Sequence, residues 1–482
     1  MKMVKSLLLG SAAGLVAVAG AQAADLPVKA KPVEYVKVCS LYGAGFYYIP
    51  GTDTCIKIGG YVRAQYYYNA GGDNAGTGAL TGTAVGEQSR SSPNDATLRT
   101  RAVMTMDTRT QTEWGTLRTY MLLGFTQDNI GSSSLYATRG FIQFAGFTFG
   151  KAQSFYDLFS SPAVSYFAWA NSDTGDAGVN LAAYTAQLGN GVSATISAEN
   201  PRRTGVFNAS TTATNAITLG ANLSNDNTTV RWPDVVANIR VDQAWGSFQV
   251  MGAIHDASAA YNFLTGIPTT AAGDGEDKVG FAVGVGARVK TDFISRGDSF
   301  QFQVNYTEGA MRYAIYTPTG TGSPLRFGGE GVGVGFFSDG IYTNGGSVDL
   351  TKVFGINASY EHVWTPALKT SVYGGYFDID YGDAGASALC GYLQNTSTAF
   401  RITSTQCDPD FSFWQLGSRT QWNIRPDFYM GVDVLYTKLN TAFGDSTGAT
   451  PQLGSQAPRT GYIFDDQDIL SVTFRVHRDI VP

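Results

Sequence analysis

The chain has 482 residues, among them 58 Gly, 26 Tyr and 28 Phe, and its formal net charge is −6. Charged residues make up 15% of the sequence and aromatic residues 13%, whereas soluble domains carry about 25% charged residues. This composition excludes a coiled coil and a disordered chain, and the slight excess of acids argues against a nucleic-acid partner. With only 3 His, the chain is also poor in residues for acid–base chemistry.

The first residues predict export. Lys2 and Lys5 precede an apolar run over residues 7–20, which ends in the small-residue motif Ala21-Gln22-Ala23. This is the pattern of a secretory signal peptide, and the alternative, a membrane anchor, is disfavoured because the run is short and no stop-transfer charges follow. We therefore expect a signal peptide at 1–23, a periplasmic N-terminal segment at 24–54 and a β-rich domain at 55–482. After residue 23, no apolar run approaches the ~18–20 residues of a membrane-spanning helix.

Stretches of about ten residues alternate between apolar and polar positions. Between 56 and 68, Ile58 and Val62 alternate with Tyr61 and Arg63, and similar alternation occurs at 98–106, 279–290, 412–424 and 470–478. Successive side chains of a strand point to opposite faces, so each stretch has one apolar face and one polar face. About ten residues is the length of a tilted membrane-spanning strand, whereas strands of soluble sandwiches have about 5–6.

The predicted connections between strands alternate in length. Short links are expected near 109–115, 145–146, 189–191, 244–246, 291–297, 365–367 and 425–427, and long ones near 69–96, 126–133, 154–178, 200–233, 257–277, 310–351, 382–410 and 441–467. Together these links join sixteen strands, and short periplasmic turns with long outer loops are typical of outer-membrane barrels. A β-helix would show a short fixed repeat, and a lectin-like sandwich would not explain the polar, arginine-bearing faces. We predict an all-β fold, a transmembrane antiparallel β-barrel of 16 strands.

This topology also predicts how the four cysteines pair. Cys39 and Cys55 precede the first expected strand and so lie on the periplasmic side, whereas Cys390 and Cys407 lie in the seventh outer loop. Export to an oxidising compartment favours disulfides. Cross-pairing would have to span a barrel about 25 Å tall, far beyond the ~4.4–6.8 Å between the Cα atoms of a disulfide. The expected disulfides are therefore Cys39–Cys55 and Cys390–Cys407.

The third long loop is expected to narrow the channel. Side chains can fill a barrel of about eight strands, so sixteen leave an open lumen. Residues 154–178 carry six aromatic residues, which favour a loop that folds into the lumen and packs against its wall. The alternative is an aromatic girdle at the outer membrane interface. With the loop inside, its acids are expected to stand free in the pore: Asp157, Asp173 and Asp176.

A basic wall is expected opposite these acids. A charge on the lipid face near the membrane midplane costs about 2–4 kcal/mol, so alternation directs the arginines of the first four strands into the lumen. Acids and arginines on opposite sides would create a transverse field that passes polar solutes and sets ion selectivity. The alternative is that the arginines only pair with nearby acids and stiffen the wall. The candidate wall residues are Arg63, Arg99, Arg101, Arg118 and Arg139.

No enzyme, metal site or cofactor is predicted. None of His255, His362 and His477 has a nucleophile motif beside it, and G-x-S-x-G does not occur. The acidic stretch Gly273–Asp277 is shorter than a Ca²⁺-binding EF-hand loop and lacks its spacing. A solvated acidic loop is therefore the better interpretation of that stretch, with divalent ions bridging it to lipopolysaccharide as the alternative.

The motifs of the chain resemble a known family. Residues 36–63 read VKVCSLYGAGFYYIPGTDTCIKIGGYVR, which resembles the N-terminal motif of the general-diffusion porins of alphaproteobacteria. Three further segments, 112–120, 146–155 and 183–194, resemble the same family in the same order. The resemblance implies sixteen-stranded trimers in the outer membrane, with the loop at 154–178 as the constriction of each pore and with Cys39 and Cys55 paired.

The function implied by this resemblance is passive diffusion of small hydrophilic solutes and ions. The expected partners are the other copies of a homotrimer, outer-membrane lipid and lipopolysaccharide. Two other interpretations remain open. A substrate-selective channel would need an aromatic path along the lumen, and a non-conducting barrel could serve as an adhesin or scaffold that presents its long outer loops.

Overall fold

A computed structural model describes residues 37–68, 85–86, 96–128, 133–167, 169–175, 177–210, 230–260, 263–264, 267–268, 277–316, 325–328, 331–343, 346–395, 401–444, 447–450 and 459–480. The predicted signal peptide at 1–23 and the candidate acid Asp176 lie outside these residues. The chain divides into two compact units between Ile56 and Lys57.

The first unit is organised around a disulfide. Cys39 and Cys55 are bonded, with their Cα atoms 6.0 Å apart, and both are buried against Phe46. A short strand, Tyr47–Tyr48, pairs antiparallel with the chain at Cys55 and Ile56. The pairing of these two cysteines is as predicted.

The second unit is a closed antiparallel barrel of sixteen strands. The first strand pairs with the last, placing Arg63 opposite His477, and it also pairs with the second, so the sheet closes on itself. Closure removes the exposed edges that long strands would otherwise present. The strands are β1 (Thr54–Tyr68), β2 (Ala96–Thr112), β3 (Gly115–Asp128), β4 (Ser134–Phe144), β5 (Phe147–Ala152), β6 (Val179–Gly189), β7 (Val192–Glu199), β8 (Asp234–Gln243), β9 (Gly246–Asp256), β10 (Val279–Lys290), β11 (Ser299–Glu308), β12 (Lys352–Thr365), β13 (Leu368–Asp380), β14 (Phe411–Arg425), β15 (Phe428–Asn440) and β16 (Gln467–Asp479).

The connections alternate between short and long, as predicted. All seven expected short links join consecutive strands at one end of the barrel. Two of them are tight turns whose central residues have positive φ, Ala145 (50°) with Gly146 (86°) and Asn190 (52°) with Gly191 (76°). Such dihedrals match the twist of the flanking strands in a two-residue hairpin. Longer segments connect the strands at the other end, except between β3 and β4, where the expected long link is only the five residues 129–133.

The two faces of the barrel wall differ in polarity. On β16, Leu470 and Phe474 are exposed on the outer surface, whereas Thr473 and Arg475 on the opposite face are buried. The same alternation recurs on β9, where Val250 and Ile254 are exposed on the outer surface and Gln249 and His255 are buried on the inner face. An apolar outer surface can face lipid at no desolvation cost, and polar side chains of the inner surface line the lumen.

The outer loops contain structure that the sequence pattern did not predict. They contribute two helices, α1 (Ser161–Val164) and α2 (Gly382–Asn395), a 3₁₀ turn at Met311–Tyr313, and the short strands Val85–Gly86, Val206–Asn208, Phe263–Leu264, Ile267–Pro268, Leu325–Gly328, Gly331–Val334, Gly340–Tyr342, Asp349–Leu350, Arg401–Ile402, Thr447–Thr450 and Arg459–Phe464. None of the helices in the described part of the chain is long and apolar enough to span a bilayer.

An apolar core holds the outer loops together. Phe207, Phe336, Leu389 and Phe443 come from four different loops and are all buried in one cluster. Helix α2 also carries Cys390, which is bonded to Cys407 with a Cα separation of 5.8 Å. This second disulfide is as predicted, and it ties the helix to the segment that leads into β14.

Candidate pore constriction

Loop 3, the segment 153–178 between β5 and β6, folds into the lumen. The side-chain oxygen of Gln303 on β11 accepts hydrogen bonds from the backbone N–H groups of Leu158 (3.0 Å) and Phe159 (2.9 Å). On β14, Gln415 accepts one from the N–H of Ala170 (2.8 Å). The loop therefore folds against the inner wall, as predicted, and it runs there from β11 to β14. Amide side chains on the wall satisfy backbone groups that burial removes from water.

The aromatic residues of loop 3 pack against the inner wall. Trp169 is fully buried, and it makes an edge-to-face contact with Phe159 (5.7 Å between ring centroids) and a tilted contact with Tyr373 of β13 (5.2 Å). The alternative of an outer aromatic girdle is therefore wrong for these residues. Burial of large aromatic side chains is the main apolar contribution that holds the loop inside.

Glycines on the inner wall make room for these rings. A Cβ atom at Gly431 would lie 2.3 Å from the hydroxyl oxygen of Tyr166, and one at Gly284 would lie 2.9 Å from that of Tyr156. Any side chain at these positions would push the loop away from the strands. Part of the high glycine content is thus explained by the close approach of loop 3 to the wall.

Asp433 on β15 anchors the tip of loop 3. One of its carboxylate oxygens accepts hydrogen bonds from the N–H of Tyr166 (2.6 Å) and the hydroxyl of Ser165 (3.0 Å). The other oxygen accepts one from the hydroxyl of Tyr373 (2.7 Å). A buried carboxylate with three donors is well satisfied, so it fixes the loop to this wall. Asp433 was not among the site residues expected from the sequence.

The expectation that Asp157 stands free in the pore is wrong. Its side chain has 0% exposure and forms an ion pair with Arg202 (2.9 Å), which is also fully buried. The N–H of Thr174 donates to the same carboxylate (2.9 Å). Loop 3 folds over Asp157 instead of presenting it, because a charge of opposite sign from loop 4 (200–233) is available beneath the loop. Arg202 was not identified from the sequence.

Asp173 faces the pore but is not free either. Its carboxylate accepts hydrogen bonds from the N–H groups of Gly175 (2.7 Å) and Ser161 (3.1 Å) and from the Gln153 amide (3.2 Å). Burial, and then the nearby charge of Asp157, raise the pKa of Asp173 to about 7, against the pull of those backbone donors. Its negative charge is therefore only partly developed at neutral pH.

The candidate arginines fall into two groups. Arg63, Arg99 and Arg101 line a cavity of about 240 Å³ between the wall and loop 3, which Asp173 also lines. We call this space the arginine cavity. Arg118 and Arg139 line a separate space of about 440 Å³ next to the start of loop 3. The five residues thus lie on the inner wall, but they do not form one continuous ring of charge.

Two of the arginines pair with acids on the same wall. Arg99 makes a bidentate contact with Asp128, at 2.6 and 2.7 Å, and Arg118 contacts Asp107 at 2.9 Å. These contacts agree with the alternative in which arginines pair with acids and stiffen the wall.

The remaining arginines of the set make other contacts. The Nε of Arg101 donates to the hydroxyl of Thr126 (2.8 Å), and Arg101 forms no ion pair with a carboxylate of the described residues. Arg139 donates to the backbone carbonyl of Gly175. Arg139 therefore holds the end of loop 3.

A further arginine, Arg475 on β16, lines the arginine cavity. Its guanidinium lies 4.1 Å from the centroid of the Tyr166 ring and donates to the carbonyl of Tyr166 (3.0 Å). The alternation at 470–478 places Arg475 on the polar face, so its position on the inner wall could be predicted from the sequence. The candidate set missed it because that set was limited to the first four strands.

A closed sixteen-strand barrel with polar inner walls and a loop folded into its lumen defines the class of barrel channels of the outer membrane. The family model of the porin subfamily matches residues 25–473. The chain therefore belongs to the porin subfamily, a family of channel proteins and not of enzymes.

Two relatives come from Brucella species. Porin Omp2b of Brucella canis is 35% identical over 260 residues, which cover 51% of this chain and 64% of the relative. Porin Omp2a of Brucella ovis is 36% identical over 272 residues, covering 51% and 68%. The chain thus spans just under two thirds of the length of the Omp2b relative.

A solved structure with a similar fold is the outer membrane channel DcaP of Acinetobacter baumannii. It has a TM-score of 0.59 and 15% sequence identity, and the match covers 90% of this chain and 99% of the other. At this identity the similarity concerns the fold alone, and it supports the barrel architecture.

Proposed function

We propose that the protein is an outer-membrane porin that forms a water-filled channel for passive diffusion of small hydrophilic solutes and ions. The observation that carries this proposal is that loop 3 narrows the lumen without filling it. Spaces of about 240 and 440 Å³ remain between the loop and the polar wall. Polar and charged linings of this kind admit hydrated solutes and exclude apolar ones.

The proposed constriction combines residues from loop 3 and from the wall. Its basic wall consists of Arg63, Arg99, Arg101, Arg118 and Arg139, with Asp173 opposite the first three. The inward position of loop 3 is supported by its hydrogen bonds to Gln303, Gln415 and Asp433. We do not assign Asp157 to the pore, because it is buried beneath the loop.

The remaining expectations concern the setting of the pore. We propose that residues 1–23 are a signal peptide, that residues 24–54 lie on the periplasmic side and that the barrel begins at residue 55. We also propose that three copies assemble and that the barrel contacts outer-membrane lipid and lipopolysaccharide. The family resemblance supports the trimer, and the exposed apolar faces of the strands support contact with lipid.

The test is single-channel conductance of the purified full-length protein in a planar bilayer. We expect stable open channels that appear in steps of three, one step for each pore of a trimer. Folded protein that gives no conductance would contradict the porin function and favour the adhesin or scaffold interpretation. Single steps with no triplets would contradict the trimer and leave the channel intact.

A further inference from the structure

We propose that the arginine cavity is a binding site for small oxyanions, such as carboxylates and phosphate, and that the pore consequently prefers anions. This inference rests on the proposed channel function and names its solute class. The cavity lies between loop 3 and the strands β1, β2 and β16. This anion preference is the opposite of the cation preference that the net charge of the whole chain, −6, would favour.

The lining of the arginine cavity carries more positive than negative charge. Among the described residues that line the cavity, Arg63, Arg99, Arg101 and Arg475 are basic and Asp173 is the single acid. Four guanidinium groups around about 240 Å³ produce a positive potential that water in a narrow space screens poorly.

Two of the three acids expected in the constriction already have partners within the protein. Arg202 pairs with Asp157 beneath the loop, and backbone N–H groups occupy the carboxylate of Asp173. On the wall, Asp128 pairs with Arg99. Arg101 and Arg475 also line the cavity and form no ion pair with a carboxylate of the described residues, so positive charge exceeds negative charge in the described lining.

Two arginines of the cavity have N–H donors that form no hydrogen bond within the described residues. The Nε of Arg475 is buried and has no hydrogen-bond partner among the described residues, and the residue as a whole is 6% exposed. Arg101 uses its Nε for Thr126, and its terminal nitrogens form no hydrogen bond within the described part of the chain. A guanidinium presents donors in a planar fork that matches the two oxygens of a carboxylate or phosphate.

Aromatic rings hold these guanidinium groups in place. Arg475 lies over the ring of Tyr166 (4.1 Å), and Arg99 lies over that of Tyr67 (5.5 Å). Both rings line the cavity, together with Phe167. Stacking fixes the planes of the charged groups before a solute arrives, so less conformational entropy is lost on binding. The apolar part of an organic acid would contact the same rings.

The experiment measures ion preference and block in the full-length protein reconstituted in planar bilayers. A KCl gradient gives the reversal potential, and added potassium phosphate or sodium benzoate serves as the oxyanion probe. We expect an anion-selective channel whose chloride current both probes reduce. In R101Q and R475Q, we expect the concentration for half block to rise roughly tenfold, the change that follows from losing one charge-assisted hydrogen bond.

The controls separate a site from a general charge effect. R425Q removes an arginine that is 65% exposed beside a short turn and does not line the cavity, so its block should match that of the wild type. R101K keeps the charge but loses the fork, so it should keep anion preference and bind the probes more weakly. Heat-dependent mobility on denaturing gels confirms that each variant is folded.

The outcomes are distinguishable. A conducting channel that prefers cations and is insensitive to both probes overturns the oxyanion site and leaves the porin function intact. The absence of any conductance from folded protein overturns the porin function itself. Equal weakening in R101Q and R425Q overturns the assignment to this cavity.

Discussion

Arg202 and Asp157 form an ion pair of 2.9 Å in which neither side chain is exposed to solvent. The guanidinium of Arg202 also lies 4.4 Å from the ring centroid of Tyr313. The pair joins loop 4 to loop 3, and Tyr313 adds a contact from loop 6 (309–351). The position of the constriction loop therefore depends on residues from two other outer loops.

Replacing Arg202 by methionine should destabilise the folded protein strongly. The change leaves the Asp157 carboxylate buried without its cation, a cost of about 3–5 kcal/mol. Unfolding in guanidinium, followed by tryptophan fluorescence, should show this loss, and single-channel records should become noisier as loop 3 loosens.

The matched control for this prediction is R240M. Arg240 pairs with Asp242, but the two side chains are 32% and 51% exposed, so the loss should stay below about 1 kcal/mol. The double variant R202M/D157M should recover much of the stability, because it removes the stranded charge. Similar losses in R202M and R240M would contradict the structural role of the buried pair.

Asp433→Ala should release the tip of loop 3 from the wall. The variant leaves the donors of Tyr166, Ser165 and Tyr373 without their common acceptor, and a buried unsatisfied donor costs about 1–3 kcal/mol. We expect a larger and less steady conductance in single-channel recordings. D465A, which removes an exposed acid outside loop 3, should conduct like the wild type. An unchanged current in D433A would show that this anchor does not hold the loop.

Each disulfide should stabilise its own segment. Cys390 and Cys407 are separated by 17 residues, and closing a loop of about 15 residues contributes about 3 kcal/mol by restricting the unfolded chain. The variant C390A/C407A should therefore expose loop 7 (381–410) to limited proteolysis while the barrel strands stay protected. Peptide mapping without reductant should recover the two predicted linkages. A peptide that links Cys39 to Cys407 would contradict the barrel topology.

The ion preference should depend on the ionisation of Asp173. Its folded-state pKa is raised from 3.8 to about 7, so the neutral carboxyl is favoured in the folded protein. The stabilisation from this group is complete below about pH 4 and is lost as the pH rises through about 7. Over the same range the cavity gains a negative charge, near Asp157 and Arg288. We expect anion preference to fall between about pH 6 and 8.

The measurement is the reversal potential in a KCl gradient across this pH range. D173N keeps an acceptor for one backbone donor but cannot ionise, so its anion preference should stay flat. Burial also raises the pKa of Asp410 in loop 7 to about 6. Because this residue is present in both the wild type and D173N, its titration cannot account for a difference between them. A pH dependence in D173N that equals that of the wild type would show that another group is responsible.

The barrel could be predicted because its evidence is local in the sequence. The alternation that places Arg63 on one face of β1 and Val62 and Tyr66 on the other is visible within a few residues. The turns are marked by residues such as Asn190-Gly191. The inward fold of loop 3 followed from its aromatic content. These signals need no knowledge of distant parts of the chain.

The details of the constriction could not be predicted, because they depend on contacts between distant residues. Gln303 binds the backbone of loop 3 across 144 residues of sequence, and Asp433 does so across 267. A polar residue on an inner face looks the same whether it lines the pore or holds a loop. For the same reason, Asp157 was expected in the pore and not beneath loop 3.

The seam between β1 and β16, where the N–H of Ile480 donates to the carbonyl of Gly60 (2.8 Å), has a consequence for biogenesis. Until that seam forms, the inserting sheet has two unpaired edge strands. Each of their backbone N–H and C=O groups left without a hydrogen bond in hydrocarbon costs several kcal/mol. A barrel that lacks even one strand would therefore leave a whole row of unpaired backbone groups in the membrane. The pairing of β1 with β16 must therefore be protected from lipid by cellular machinery, or be completed before lipid reaches the gap.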